Sequence, residues 1–183
     1  MIDANKLIEL IETKQLDYEE NVKVLKTPQA IEQTKIAMRA MLTDPDHQKY
    51  RSAVCGIIRE LNDTEALEIL WKIINDPASK GKRGSLVYAM EFMNPIEYLG
   101  PLVRLVINDN FEVSNNAMAT IYNLDGKVDD GLLNQLYKEV KQALTETSPS
   151  SKSPPILPTI PPSMQKWRKE ALEILLEEFE PYK

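Results

Sequence analysis

The sequence predicts an all-helical fold, a right-handed α–α solenoid built from three to four stacked two-helix units. Three observations predict it. Related segments begin at Asp44, Asp76 and Asp109, at intervals of 32 and 33 residues. The chain has only 6 glycines in 183 residues and much leucine, isoleucine, glutamate and lysine, which favours helix over strand. Apolar residues in each segment recur at helical spacing. A unit of this length cannot bury its own apolar face, so the units must stack.

Three helices are predicted before the first complete unit. The apolar pattern predicts a helix over residues 3–13, and a more polar helix follows over 18–26. Thr27 and Pro28 predict the start of a third helix that extends to residue 42. Threonine supplies an N-cap oxygen, and proline in the first turn removes no needed donor. An Asp-Pro dipeptide then ends this helix, because the residue before proline disfavours helical backbone.

Each repeat unit is predicted to contain two helices joined by a polar turn. The predicted pairs span 49–61 and 65–75, then 82–93 and 96–108, and finally 112–124 and 130–144. Residues 1–144 therefore form one predicted repeat domain, and the repeat is clearest over 28–144.

The chain changes character after the last predicted unit. Residues 145–162 contain six prolines and several serines without a helical period, which indicates a stiff extended linker. Residues 163–183 then form a predicted amphipathic segment, with Ser163 as N-cap of a helix over 164–179.

The C-terminal helix carries an apolar stripe from Trp167 to Phe179, yet its charges oppose the helix dipole. Lys166, Arg168 and Lys169 lie near its N-terminal end, where the dipole disfavours cations. Tertiary contacts must therefore hold it. Two alternatives remain at this point: the helix caps the last repeat around Leu133, Leu136 and Val140, or it self-associates with a neighbouring molecule or partner.

The repeats resemble HEAT repeats, the two-helix units of α-solenoids. The resemblance rests on an Asp before the first helix and an Arg seven residues later, as in Asp44 with Arg51 and Asp76 with Arg83. Asp109 continues the series, although asparagine replaces the arginine after it. The resemblance implies that these five residues form a structural ladder between successive units. An arginine fork can bridge a carboxylate and a carbonyl across adjacent turns.

A second row of residues follows from the same resemblance. In HEAT solenoids the second helix of each unit lines the concave face. Aligning the second helices at their leucines places Lys72, Arg104 and Lys138 at one equivalent position. We interpret this cation row as a groove for an acidic protein segment, and the alternative is a mixed solvated surface.

The sequence contains few residues that are typical of catalytic or cofactor sites. The chain has one histidine, His47, and one cysteine, Cys55. These cannot supply a Cys/His zinc cluster, and no nucleophile has a neighbouring base in sequence. The glycines near Lys80 lack phosphate-loop spacing. The sequence therefore predicts a non-enzymatic protein without a cofactor or metal.

Charge and composition restrict the partner and the compartment. The net charge of −6 and the pI near 5.0 argue against nucleic acid and anionic membranes as partners. A single cysteine and the lack of a signal peptide or a long apolar run predict a cytoplasmic protein.

These observations predict a protein-binding module of the adaptor or inhibitor kind. The alternative is a DNA-binding or repair protein of the HEAT-like DNA glycosylase kind, which would need a strongly basic concave face. A third interpretation, a bilin-lyase-like HEAT protein, is supported by the repeat alone.

Overall fold

A computed structural model describes residues 4–23, 25, 27–146 and 162–180 of the chain. Across these ranges every regular element is helical and no strand is found, so the predicted all-α class is confirmed. The chain divides into two compact units, Met1–Met93 and Asn94–Lys183. None of the helices in the described ranges is both long and apolar enough to cross a lipid bilayer.

The first unit is organised around its third helix. Its α-helices are α1 (Ala4–Glu12), α2 (Pro28–Thr43), α3 (Arg51–Glu60), α4 (Leu67–Asn75) and α5 (Gly84–Ala89), with 3₁₀ turns at Pro45–Tyr50, Thr64–Ala66 and Pro77–Ser79. Helix α3 packs against both α2 and α5, while α1 packs on α2 and α4 packs on α5. The largest buried side chains of this unit are Leu7, Met38, Ile57, Ile58, Leu70, Ile74, Leu86 and Met90. Their burial supplies the main stabilisation of the unit.

Local signals in the sequence place helix α2 correctly. The Thr27 hydroxyl oxygen accepts a hydrogen bond from the backbone N–H of Ala30 at 3.1 Å, and Pro28 occupies the first helical position. Asp44 then adopts an extended conformation and ends the helix. Both ends depend on contacts within three residues, which is why a short sequence window predicts them.

The helix predicted over 18–26 is wrong in extent, since the regular element is a five-residue π-helix, Tyr18–Val22. Asn21 closes the first turn of this element. Its backbone N–H donates to the carbonyl of Asp17, and its side-chain oxygen accepts from the Asp17 N–H at 2.7 Å. Leu25 lies within the predicted range but outside any helix.

Backbone features recur at the predicted interval. Asn62 and Asn94 adopt left-handed φ values of 45° and 49°, and each is followed by a 3₁₀ turn, Thr64–Ala66 and Ile96–Tyr98. Asparagine tolerates this conformation better than most residues, so it ends helices. Helix α5 ends earlier than the predicted residue 93, because the chain turns from Met90 onward.

The second unit is organised around its first helix. Its α-helices are α6 (Leu99–Asn108), α7 (Phe111–Tyr122), α8 (Asp130–Glu146) and α9 (Pro162–Phe179). Helix α6 contacts each of the other three. The buried core includes Leu102, Val106, Ala117, Leu136, Leu172 and Leu175. The Asn94 amide also donates to the carbonyl of Asp125 at 2.8 Å and accepts from its N–H at 2.9 Å, which ties together the turns flanking α6 and α7.

Helix α9 packs against α8, the helix that carries the predicted capping surface around Leu133, Leu136 and Val140. Buried residues line both sides of this contact: Ala171, Leu172, Leu175 and Phe179 on α9, and Leu133, Leu136, Val140 and Ala143 on α8. Two predicted details differ. Residues 145 and 146 continue α8, and α9 begins at Pro162, so Ser163 lies inside its first turn. The remainder of the predicted linker, 147–161, lies outside the described residues.

The basic residues of α9 have partners that offset its adverse dipole. Arg168 is buried, and its guanidinium donates a hydrogen bond to the backbone carbonyl of Asp109, the C-cap of α6. A cation there is favoured by the negative end of the α6 dipole. Burial lowers the pKa of Arg168 from its usual value. Lys166 and Lys169 form ion pairs one turn along α9, at 3.6 and 3.5 Å.

We expect Leu172→Ala to lower the free energy of unfolding by about 2–5 kcal/mol, because Leu172 is fully buried and its truncation leaves a cavity. Ile174→Ala on the same helix is the matched control, since Ile174 is 40% exposed, and its effect should stay below about 1 kcal/mol. Urea unfolding monitored by circular dichroism measures both. Equal effects of the two substitutions would contradict the docking of α9 through this face.

Candidate functional site

The predicted cation row is distributed over both units. Lys72 is exposed on α4 in the first unit, whereas Arg104 and Lys138 are exposed on α6 and α8 in the second. Helices α6 and α8 contact each other, so Arg104 and Lys138 lie on adjacent helices. The alignment of all three cations stays a prediction, because Lys72 belongs to the other unit.

Arg104 differs from the two lysines in having a carboxylate partner. Its Nε and Nη2 atoms donate to the two carboxylate oxygens of Glu139, each at 3.0 Å. This bond is the main reason why the pKa of Glu139 is lowered, and a hydrogen bond from Gln135 acts in the same direction. Glu139 is therefore ionised at neutral pH and offsets the charge of Arg104. Within the described ranges, no ion pair engages Lys72 or Lys138, so these two are the open cations of the row.

The aspartates of the predicted ladder make short-range contacts. Asp44 and Asp76 each accept a hydrogen bond at 2.9 Å from the backbone N–H two residues on, and each thereby caps a 3₁₀ turn that begins with proline. Asp109 accepts from the N–H of the next residue at 2.8 Å. Arg51 and Arg83 are half-buried near the starts of α3 and α5. The stapling role of the ladder stays a prediction.

Other side chains connect the helices directly, and sequence reasoning missed them. The observed pairs are Arg39 with Asp63 and Glu65, Arg59 with Glu91, Asn94 with Asp125, and Arg104 with Glu139. Each joins residues on different helices or turns. Asp63 is buried 2.7 Å from Arg39, and its burial raises its pKa even though Arg39 acts in the opposite direction. Packing of the helices brings the members of these pairs together.

The most elaborate of these contacts surrounds Arg59, and we call it the Arg59 cluster: Arg59, Glu60, Tyr88, Glu91 and Phe92. The guanidinium carbon lies 4.4 Å from the centre of the Tyr88 ring and 4.2 Å from that of Phe92. Nε and Nη2 donate to Glu91 at 3.0 and 2.7 Å, and Nη1 donates to Glu60 at 3.0 Å. The guanidinium is thus held by two carboxylates and two aromatic rings.

The rings of the Arg59 cluster remain accessible even though Arg59 itself is mostly covered. Tyr88 is 39% exposed and Phe92 is 49% exposed. Rigid aromatic side chains with an adjacent arginine are typical of the residues that dominate protein interfaces. One signal in the sequence could have found the cluster, since Arg59 and Glu91 are 32 residues apart, which is the interval of the predicted repeat.

The histidine and the cysteine occupy structural environments. His47 Nδ1 lies 2.8 Å from Asp44, and its Nε2 lies 3.9 Å from Glu12. The backbone hydrogen bond from Asp46, and then the one with His47, lower the pKa of Asp44. Burial raises the pKa of the Cys55 thiol to about 12, so the thiol is protonated at neutral pH. Across the part of the chain that is described, no three His, Cys, Asp or Glu side chains are arranged to hold a metal ion.

Comparison with known proteins adds no family to this description. No protein-family model matches the chain, and searches of the curated proteins and of the solved structures likewise found no match. The resemblance to HEAT repeats therefore rests on the residues of the sequence.

We expect Arg59 and Glu91 to be energetically coupled by about 1 kcal/mol in a double-mutant cycle with Arg59→Met and Glu91→Gln. The pair is largely shielded from solvent, and methionine keeps an unbranched stem but removes the charge and the donors of arginine. Urea unfolding of the two single variants and the double variant measures the coupling. The exposed helical pair Lys6–Glu9 is the control, for which we expect at most about 0.5 kcal/mol. Coupling no larger than in this control would show that the Arg59 fork does not stabilise the unit.

Proposed function

We propose that the chain is a non-enzymatic protein-binding module of the adaptor or inhibitor kind, with repeats stacked as a HEAT-like right-handed superhelix. The recurrence of Asn62 and Asn94 in the same left-handed conformation, each before a 3₁₀ turn and a helix, supports the repeat. We expect the protein to act in the cytoplasm.

The proposed ligand of the cation row is an acidic protein segment, and one observation carries this proposal. Lys138 is exposed and lies beside the Arg104–Glu139 pair, with no ion pair among the described residues. By sequence alignment, Lys72 occupies the equivalent position two predicted repeats earlier. Lysines extended into solvent attract carboxylates over a long range and mainly accelerate association.

Arg104 has a different role in this proposal. Its side chain is 46% exposed and that of Glu139 is 29% exposed, so solvent screens the pair, which is worth little on its own. A carboxylate of the partner could then compete with Glu139 for the arginine fork. Glu139 would act as an internal competitor, and its removal should strengthen binding.

We expect Lys138→Glu to weaken the binding of a fluorescein-labelled peptide of alternating glutamate and alanine by about tenfold at low salt. Lys72→Glu should act in the same direction, and Glu139→Gln should tighten binding severalfold because it frees Arg104. Fluorescence anisotropy at several ionic strengths measures these affinities. The control is Lys127→Glu, an exposed lysine in the turn before α8, which should leave the affinity unchanged.

Two outcomes would contradict the proposal. An equal loss for Lys127→Glu would show that only net charge matters. Binding of duplex DNA that depends on Lys138, with a steep dependence on salt, would instead support the alternative of a DNA-binding protein of the HEAT-like DNA glycosylase kind.

A further inference from the structure

The Arg59 cluster belongs to the first unit and is built differently from the cation row. It contains two carboxylates, Glu60 and Glu91, and only one guanidinium. Its local charge is therefore negative. Its two exposed rings add an apolar surface that also attracts cations through the negative faces of the π systems.

Each carboxylate of the cluster keeps an oxygen available. Both hydrogen bonds from Arg59 to Glu91 end on Oε2, and the bond to Glu60 ends on Oε1. The other oxygen of each carboxylate accepts no hydrogen bond from the residues that the structure describes. The side chain of Glu60 is 39% exposed and that of Glu91 is 18% exposed, so Glu60 is the more accessible acceptor for a partner that leaves Arg59 in place.

The arginine of the cluster is not available to an acidic partner. Its Nε, Nη1 and Nη2 atoms all donate to carboxylates, and its flat faces approach the two rings. An approaching carboxylate would meet Glu60 and Glu91 before it could bond to Arg59. The cluster therefore selects against negative charge.

We propose that the Arg59 cluster binds a protein segment that presents an arginine or lysine next to an apolar side chain. The basic group bonds to the open oxygens of Glu60 and Glu91, and the apolar neighbour packs on Tyr88 and Phe92. The net charge of −6 favours the approach of a basic segment and opposes the approach of a second copy of this chain. This inference rests on the proposed function as a protein-binding module, but it uses another surface and the opposite charge.

Anisotropy titration of the full chain with three fluorescein-labelled peptides tests the proposal. One peptide alternates arginine with leucine, the second replaces arginine by citrulline, and the third replaces it by glutamate. Citrulline keeps the shape of arginine but removes its charge. We expect the arginine peptide to bind at least tenfold more tightly than the citrulline peptide, and the glutamate peptide not to bind at this cluster.

Substitutions assign the binding to the cluster. Phe92→Ala should weaken binding of the arginine peptide about tenfold, and Glu60→Gln should weaken it severalfold. Tyr122→Ala is the matched control, because Tyr122 is an exposed aromatic of the second unit, at 58%, and should bind as the wild type does. Circular dichroism melting establishes whether each variant is folded. If Phe92→Ala is not folded, the result for Glu60→Gln, a substitution at an exposed position, decides whether the cluster binds the peptide.

Three results would overturn the inference: no binding of the arginine peptide by the wild-type protein, equal binding of the citrulline peptide, or an equal loss in Tyr122→Ala. A failure of the cation-row proposal would give a different result. In that case Lys138→Glu would not weaken binding of the glutamate–alanine peptide, while binding of the arginine peptide would still depend on Phe92.

Discussion

The helices of this chain are apolar on one side, and each unit buries these apolar sides by packing several helices around one central helix. Helix α3 takes this central position in the first unit, and α6 takes it in the second. Each large side chain buried in this way contributes about 1.5–3 kcal/mol, far more than a surface ion pair. Packing therefore determines which side of each helix faces inward. The outward sides and the helix ends stay accessible to solvent, and Tyr88, Phe92 and Lys138 are found there.

Arginine and lysine have separate tasks in this structure. Arg39, Arg59, Arg104 and Arg168 each reach from one helix to a carboxylate or carbonyl of another element. The planar fork suits such fixed geometry, whereas an ammonium group on a flexible stem stays hydrated. The cations that are open to solvent are therefore mainly lysines. A count of all positive charges overstates the number of cations that are accessible to a partner. This division weakens an argument for nucleic-acid binding that treats all basic residues alike.

Local features of the sequence predicted the structure best. Helix α2 follows from Thr27 and Pro28, and the all-α class follows from composition and spacing, because these signals act over a few residues. The Arg59 cluster and the Arg104–Glu139 pair could not be predicted with equal ease, since their partners lie 32 and 35 residues apart and meet only through packing. The predicted cation row included Arg104, but its partner Glu139 was not predicted, although this glutamate adjoins Lys138 in the sequence.

The position of α9 has a consequence for how the chain is made. This helix covers α8 and contacts α6 and α7, yet it follows all of them in the sequence. During synthesis from the N-terminus, the apolar side chains Leu133, Leu136 and Val140 emerge before their cover exists. The nascent second unit thus passes through a stage with an open apolar face, which chaperones or proteases can recognise. A chain stopped before residue 162 would remain at that stage, and the cell could distinguish it from a chain that carries α9.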